Sequence, residues 1–190
     1  MANRPSEGLR ADARRNRARV LEVAAAIFAA EGLSVPVHEI ARRAGVGTGT
    51  VSRHFPAKED LFAAILLGRM EQLTATADAL AGTCDPGPAF FTFFATLVRE
   101  GAEHRGLAEA LAGAGYDLEG VAARAGYDVT GRLRDLLARA QRAGAVRPEV
   151  DDADVKALLA GCLARDGDGA ALDRIVAVVC DGLAAPGVPP

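Results

Sequence analysis

The amino-acid sequence predicts an all-α protein of about nine helices. Apolar residues recur at spacings of three and four, which is the period of an amphipathic helix. Runs of β-branched residues that alternate with polar ones, which are typical of strands, are nearly absent. Half of the 190 residues are hydrophobic, which suffices for a sizeable core.

Composition and cysteine spacing argue against several classes of protein. No apolar run approaches the roughly 18 residues that a membrane span needs, and no signal-peptide pattern follows the charged start. We therefore expect a soluble, cytoplasmic protein without a membrane partner. Cys84, Cys162 and Cys180 are odd in number and widely spaced, which argues against a disulfide framework or a zinc site. We expect buried or half-buried free thiols, no metal and no cofactor.

Charge is divided unevenly along the chain. Residues 1–67 hold ten Arg and Lys against seven Asp and Glu, whereas the remainder holds twelve against eighteen. A basic N-terminal part joined to an acidic body indicates that only the N-terminal part meets a polyanion. The excess is small, and a solvated charged surface would give the same count.

Four helices are predicted in the first half of the chain. The first spans residues 11–31, where one apolar stripe ends at Gly32. Two short helices follow over 37–44 and 48–55, and a longer helix over 57–81 comes after them. A segment rich in Gly and Pro then predicts a linker before five further helices. The linker covers residues 82–88, and the helices lie near 88–104, 106–114, 117–143, 151–165 and 169–184.

The segment 37–55 reads VHEIARRAGVGTGTVSRHF and has the pattern of a helix-turn-helix. Such a motif needs a small residue where the two helices cross and a residue that tolerates positive φ at the turn. It also needs apolar residues that anchor each helix and fill the turn. Five residues meet these demands: Ile40, Ala41, Gly45, Val46 and Val51. The alternative is a helical hairpin in an ordinary α-domain.

The second helix of this motif is predicted to enter the major groove of DNA. Arg53 is the best candidate to bind a guanine through O6 and N7, although its guanidinium equally suits a phosphate. The outward-facing candidates on this helix are Thr48, Gly49, Thr50, Ser52 and Arg53. Further residues are expected to hold phosphates, which positions the protein without reading sequence. They are His54 and Lys58, Arg42 and Arg43, and Arg14, Arg15 and Arg17.

The stretch 17–73 resembles the DNA-binding domain of the TetR family of regulators. The matching residues are Arg19-Val20-Leu21, Ala24-Ala25, Phe28, Gly32, Ile40-Ala41, Ala44-Gly45-Val46, Gly49-Thr50, His54-Phe55, Lys58-Glu59 and Leu61. Two positions depart from the family pattern. Ser52 stands where a tyrosine is usual, and Gly47 replaces the usual Ser or Thr cap of the recognition helix.

The resemblance implies a helix-turn-helix domain over 11–56 and a helical effector-binding and dimerisation domain over 57–185, with a connecting helix over 57–81. It also implies that the last two helices pair with a second copy of the chain. The residues expected at this homodimer interface are Leu158, Leu159, Cys162, Leu172, Ile175, Val176 and Val179. The alternative is that they complete a monomeric core.

A ligand pocket is harder to locate from the sequence. Four phenylalanines at 90, 91, 93 and 94 cover more than one helix face, so some are expected to line a cavity and the others a core. The ligand-binding candidates are Phe90, Phe91, Phe94, Arg99, His104, Tyr116 and Tyr127. The identity of the ligand is not readable from the sequence.

Three functions remain as hypotheses. The first is a dimeric repressor that a small-molecule effector releases from a pseudo-palindromic DNA operator. The second is a DNA-binding regulator controlled by a protein partner, or by none. The third is an enzyme, which the sequence disfavours because His38, His54 and His104 are scattered and no catalytic residue or metal-ligand spacing is visible. The glycines near residue 47 do not form a phosphate-binding loop, since no strand precedes them.

Overall fold

A computed structural model describes residues 5–164 and 169–187, with side chains from residue 12 onward. The described chain consists of ten α-helices joined by short turns. They are α1 (Pro5–Glu31), α2 (Val37–Ala44), α3 (Thr48–His54), α4 (Lys58–Thr83), α5 (Pro86–Glu103), α6 (Arg105–Gly113), α7 (Leu118–Arg124), α8 (Val129–Arg142), α9 (Asp152–Ala164) and α10 (Gly169–Leu183). The all-α prediction is confirmed. No helix of the described part is long and apolar enough to cross a membrane.

The chain divides into two compact units. The first comprises Met1–Gly68 with His104–Leu118, and the second comprises Arg69–Glu103 with Glu119–Pro190. Helix α6 therefore belongs to the same unit as the N-terminal helices, whereas the sequence predicted a boundary between residues 56 and 57. Leu107 and Leu111 explain this grouping, because both are buried in the core of the first unit.

The core of the first unit holds α1 to α4 together around aromatic and aliphatic side chains. Phe28 of α1 meets Phe62 of α4 edge to face, with ring centroids 5.0 Å apart. Ile40 and Ala41 of α2 and Val51 of α3 are almost fully buried beside them. Burial of each large apolar side chain contributes roughly 1.5–3 kcal/mol, so this cluster fixes the two short helices that could not form alone.

Helix α5 supplies the centre of the second unit. Phe90, Phe93 and Phe94 are buried completely and lie in one cluster with residues of α8, α9 and α10. Gly101 lets α9 approach closely, because a Cβ there would lie 2.9 Å from the side chain of Leu163. Tight packing on several sides explains why this helix carries aromatics on more than one face.

Three details of the second half differ from the sequence-based prediction. The helix predicted over 117–143 is two helices, separated where Gly126 adopts a φ of +84°. Helix α8 then begins afresh, since the Asp128 carboxylate accepts a hydrogen bond from the Gly131 N–H at 2.7 Å.

The predicted linker shrinks to two residues, because α5 begins at Pro86, where a proline is favourable. Cys84 within it is exposed, so the expectation of a buried or half-buried thiol was wrong there, whereas Cys162 and Cys180 are buried. The predicted turn at 165–168 lies outside the described residues.

Candidate nucleic-acid interface

The turn between α2 and α3 has the geometry that the sequence predicted. Gly45 adopts the left-handed conformation, with φ 68° and ψ 32°. The Val46 N–H donates to the Ala41 carbonyl at 3.1 Å, which closes the end of α2. Gly47 then begins α3 without a side-chain cap, and its carbonyl accepts from the Thr50 N–H at 2.9 Å. The backbone therefore reverses sharply enough to lay α3 across α2.

Helix α3 is anchored on one face and open on the other. Val51 is only 1% exposed, whereas Ser52, Arg53 and His54 on the same helix are exposed. Thr48 and Gly49 are also exposed. Arg53 forms no hydrogen bond or ion pair with any residue that the structure describes, so its donors are available to a ligand. This free face has the size of one short helix, which fits a DNA major groove.

Helix α1 adds cations that differ in how firmly they are held. The Arg17 guanidinium lies 5.4 Å from the centroid of the Phe55 ring, at the end of α3. Arg14 is exposed, and Arg15 forms an ion pair with Asp12. Of the three predicted phosphate contacts, Arg17 is thus the one that an aromatic ring holds next to the end of α3.

Arg42 and Arg43 are held by carboxylates. Arg42 donates from Nε and Nη2 to the two oxygens of Glu39, both at 2.7 Å, and Arg43 donates from Nε to Glu39 at 2.7 Å. Arg43 also binds Glu31 of α1 through both terminal nitrogens. These hydrogen bonds lower the pKa of Glu39 to about 2. The sequence reasoning missed both glutamates, although the spacing of Glu39 to Arg42 and Arg43 is that of helix ion pairs.

Lys58 is also bound by groups of its own chain. Its Nζ donates to the Leu33 carbonyl and lies 5.7 Å from the Phe28 ring centroid and 5.9 Å from that of Phe62. A lysine that is bound to a carbonyl and two rings ties the start of α4 to the turn after α1. Lys58 therefore has a structural role in addition to the phosphate contact that the sequence predicts.

The predicted ligand residues do not come together in one unit. His104 and Tyr116 belong to the first unit, whereas Arg99, Tyr127 and the phenylalanines belong to the second. Phe90, Phe91 and Phe94 pack in the core, and Arg99 forms an ion pair with Asp173 on the surface. In the second unit, two clefts of about 420 and 320 Å³ that are open to solvent lie along α4 and α8. Both are lined by Ala81, Leu136, Arg139 and Arg142.

The residues predicted for the dimer interface differ in exposure. Cys162 and Val176 are buried within the second unit, while Leu159, Leu172, Ile175 and Val179 are half-buried. Leu158 is 37% exposed, and Val178, which sequence reasoning did not single out, is 69% exposed. The sequence did contain a signal for Val178, because it stands at helical spacing between Arg174 and Asp181 and interrupts a polar face of α10.

The fold and the open face of α3 define a helix-turn-helix DNA-binding transcriptional regulator. Residues 85–185 match the family model "Transcriptional regulator SbtR-like, C-terminal domain", and residues 20–65 match "Bacterial regulatory proteins, tetR family". A solved TetR transcription regulatory protein from Mycobacterium vanbaalenii is 50% identical over 93% of this chain and 99% of its own, with a TM-score of 0.74. The chain therefore belongs to the TetR family of bacterial transcriptional regulators.

Two further relatives agree with this assignment. A TetR transcriptional regulator from Streptomyces coelicolor is 28% identical over 90% of this chain and 99% of its own, with a TM-score of 0.73. HTH-type transcriptional regulators of Staphylococcus aureus are 43% identical over 54 residues, which is 28% of this chain. The match spans only 29% of the length of these curated relatives.

Proposed function

We propose that the protein is a dimeric repressor that binds a pseudo-palindromic operator through α3 and leaves it when a small-molecule effector binds the second unit. One observation carries the DNA-binding part: α3 is anchored by Val51 while Arg53 beside it is exposed and unpaired among the described residues. A free guanidinium on the exposed face of a recognition helix is suited to bidentate binding of a guanine.

The other proposed DNA contacts differ in how exposed each side chain is. Thr48, Gly49 and Ser52 are exposed, so they approach bases or phosphates directly. Thr50 is half-buried and serves at the edge of the groove. His54 and the α1 arginines, Arg14, Arg15 and Arg17, bind phosphates and so position α3 without reading sequence.

A dimer follows from the exposed apolar face of the last two helices. Leu158 of α9 and Val178 of α10 are exposed, and small residues such as Gly161 and Ala177 lie exposed beside them. A second copy would bury this face and form a two-fold symmetric four-helix interface. Cys162 and Val176 support it from within, because each is already buried in its own chain.

The clefts along α4 and α8 support an effector site. The larger one, of about 420 Å³, lies within the range of roughly 300–1,000 Å³ that small-molecule sites occupy. Its floor is apolar, with Ala81, Ala89 and Leu136, while Arg139 and Arg142 line its edge. Neither arginine is paired with a carboxylate in the described part of the chain, so the effector that fits best has an apolar body and an anionic group.

A second candidate function keeps the DNA-binding surface without a small-molecule effector. It is favoured by the packing of Phe90, Phe93 and Phe94, which fill the centre of the second unit. Control would then come from a protein partner. Two results together would support this candidate. Small amphipathic anions should leave the operator affinity of the purified chain unchanged, and a cellular protein should displace the chain from the operator.

The proposed function is tested by selecting duplexes from a random DNA pool with the purified full chain. We expect an inverted repeat whose half-sites lie about one helical turn apart, bound by two chains. Arg53→Ala should lower affinity for the selected site and relax its base preference. Arg134→Ala, which removes an exposed arginine of the second unit, is the matched control and should leave both unchanged. Selection of no sequence would overturn the proposal.

A further inference from the structure

A cluster of two arginines and two glutamates lies beside the proposed DNA-binding surface. Arg42, Arg43 and Glu39 belong to α2, and Glu31 is the last residue of α1. All four side chains reach solvent, and Arg42 is 71% exposed. The cluster therefore lies where a DNA backbone would compete for the same arginines, if the proposed surface is correct.

The glutamates bind these arginines in the manner of phosphate. Glu39 presents two oxygens to Arg42 in a bidentate pair, with both donor–acceptor distances 2.7 Å. Glu31 presents both oxygens to the terminal nitrogens of Arg43, whose Nε is bound to Glu39. The guanidinium uses this same fork geometry on a DNA phosphate. The carboxylates thus occupy Nε and Nη2 of Arg42 and one donor on each of the three nitrogens of Arg43, which are donors that a phosphate would otherwise bind.

The cluster is neutral as a whole at physiological pH. Arginine hydrogen bonds lower the pKa of both Glu31 and Glu39, so both carboxylates are ionised together with the two guanidinium groups. Two negative and two positive charges cancel, so the cluster adds no net positive charge to the surface. The two arginines that appear from the sequence to strengthen the basic surface therefore add little to it.

We propose that Glu39 and Glu31 compete with DNA phosphate for Arg42 and Arg43. Because the glutamates keep these arginines paired, DNA binding depends on the bases that α3 reads. Phosphate contacts raise affinity for every sequence, whereas base contacts raise it for the operator alone. Neutralising two phosphate-binding arginines therefore weakens binding to every sequence alike, and stable binding then requires the base contacts that α3 makes only at the operator. This inference rests on the proposed DNA-binding function of the α2–α3 surface.

The test compares Glu39→Gln with the unaltered protein on operator and on random duplex DNA over a range of salt concentrations. The substitution frees Arg42, so affinity for random DNA should rise. The logarithmic salt slope should steepen by about 0.9 for each phosphate that each protomer gains. Affinity for the operator should rise in parallel, because a phosphate contact is independent of sequence. Glu22→Gln adds the same charge on the exposed surface of α1 without touching an arginine pair, and serves as the matched control.

Two further variants separate this role from a structural one. In a double-mutant cycle, Arg42→Gln should remove most of the gain that Glu39→Gln produces, because Arg43 stays paired with Glu31 when Glu39 is replaced. Glu31→Gln frees the terminal nitrogens of Arg43, whose Nε stays bound to Glu39, and should give a smaller steepening. This variant keeps the test available if Glu39→Gln does not fold.

The outcomes distinguish the inference from the proposed function. Equal salt slopes for Glu39→Gln, Glu31→Gln and Glu22→Gln would overturn the inference and leave the glutamates as structural links between α1 and α2. If Arg53→Ala in the same assay removes operator preference while the glutamate variants change nothing, only the inference fails. If Arg53→Ala has no effect either, the assigned surface is wrong and the inference falls with it.

Discussion

Replacing Gly45 by alanine isolates the backbone conformation on which the helix-turn-helix depends. Gly45 has a φ of +68°, and a Cβ built there meets no atom within 4 Å. An alanine would therefore clash with nothing beyond its own backbone, and its cost is the left-handed conformation itself. That cost is roughly 1–2 kcal/mol for an L-residue. The smaller entropy of the unfolded chain offsets about 0.4–1 kcal/mol of it.

The expected net loss for Gly45→Ala is about 1 kcal/mol, which lowers the melting temperature by roughly 2–4 °C for a chain of this size. Gly49→Ala is the matched control. Gly49 lies within α3, its φ is not positive and its Cβ position is also open. Since alanine favours helix over glycine by roughly 0.5–1 kcal/mol, this variant should be more stable than the unaltered protein.

The assay is thermal unfolding of the full chain without DNA, followed by circular dichroism at one fixed protein concentration. The fixed concentration matters because association with a second copy shifts the apparent stability. If the turn needs a positive φ at Gly45, the two substitutions act in opposite directions on the melting temperature. Equal melting temperatures for Gly45→Ala and Gly49→Ala would refute the claim that the turn needs a positive φ.

Three other perturbations test separate contacts. Lys58→Met keeps an apolar side chain but removes the donor to the Leu33 carbonyl, so it should cost about 1 kcal/mol of stability in urea unfolding, and an unchanged midpoint would contradict this. Cys84 is exposed, whereas burial raises the pKa of Cys180 to about 11. A thiol reagent at neutral pH should therefore label one cysteine quickly and the others only after denaturation. The pKa of Glu39 falls from 4.5 to about 2 on folding, so its stabilising effect is complete above pH 4.5 and is lost as the pH falls toward 2. The stability difference between the unaltered protein and Glu39→Gln should shrink over that interval, and a constant difference would contradict the ion-pair assignment.

The helix-turn-helix was predictable because each of its key positions has one local requirement that few residue types meet. Gly45 needs a positive φ, and Ile40, Ala41 and Val51 need to be buried, and the structure has all four in that state. Such demands can be read from residue type and spacing alone. The same holds for most helix bounds, which follow apolar periodicity and proline positions.

Other features depend on contacts that the sequence does not display. The break at Gly126 was missed because apolar residues continue at helical spacing on both sides of it. The pair between Glu31 and Arg43 spans 12 residues and exists only once α1 and α2 are packed. The grouping of α6 with the first unit depends likewise on tertiary burial of Leu107. The spacing of Glu39 to Arg42, by contrast, was a local signal that would have predicted the ion pair.

The central claim is that α3 enters the major groove of an operator with Arg53 on a guanine. Methylation protection at guanine N7 measures this directly, because N7 lies in the major groove. We expect protected guanines in two major-groove patches about 34–36 Å apart, and loss of protection at matching positions with Arg53→Ala. Binding that protects no guanine N7, or protection that Arg53→Ala leaves intact, would contradict it.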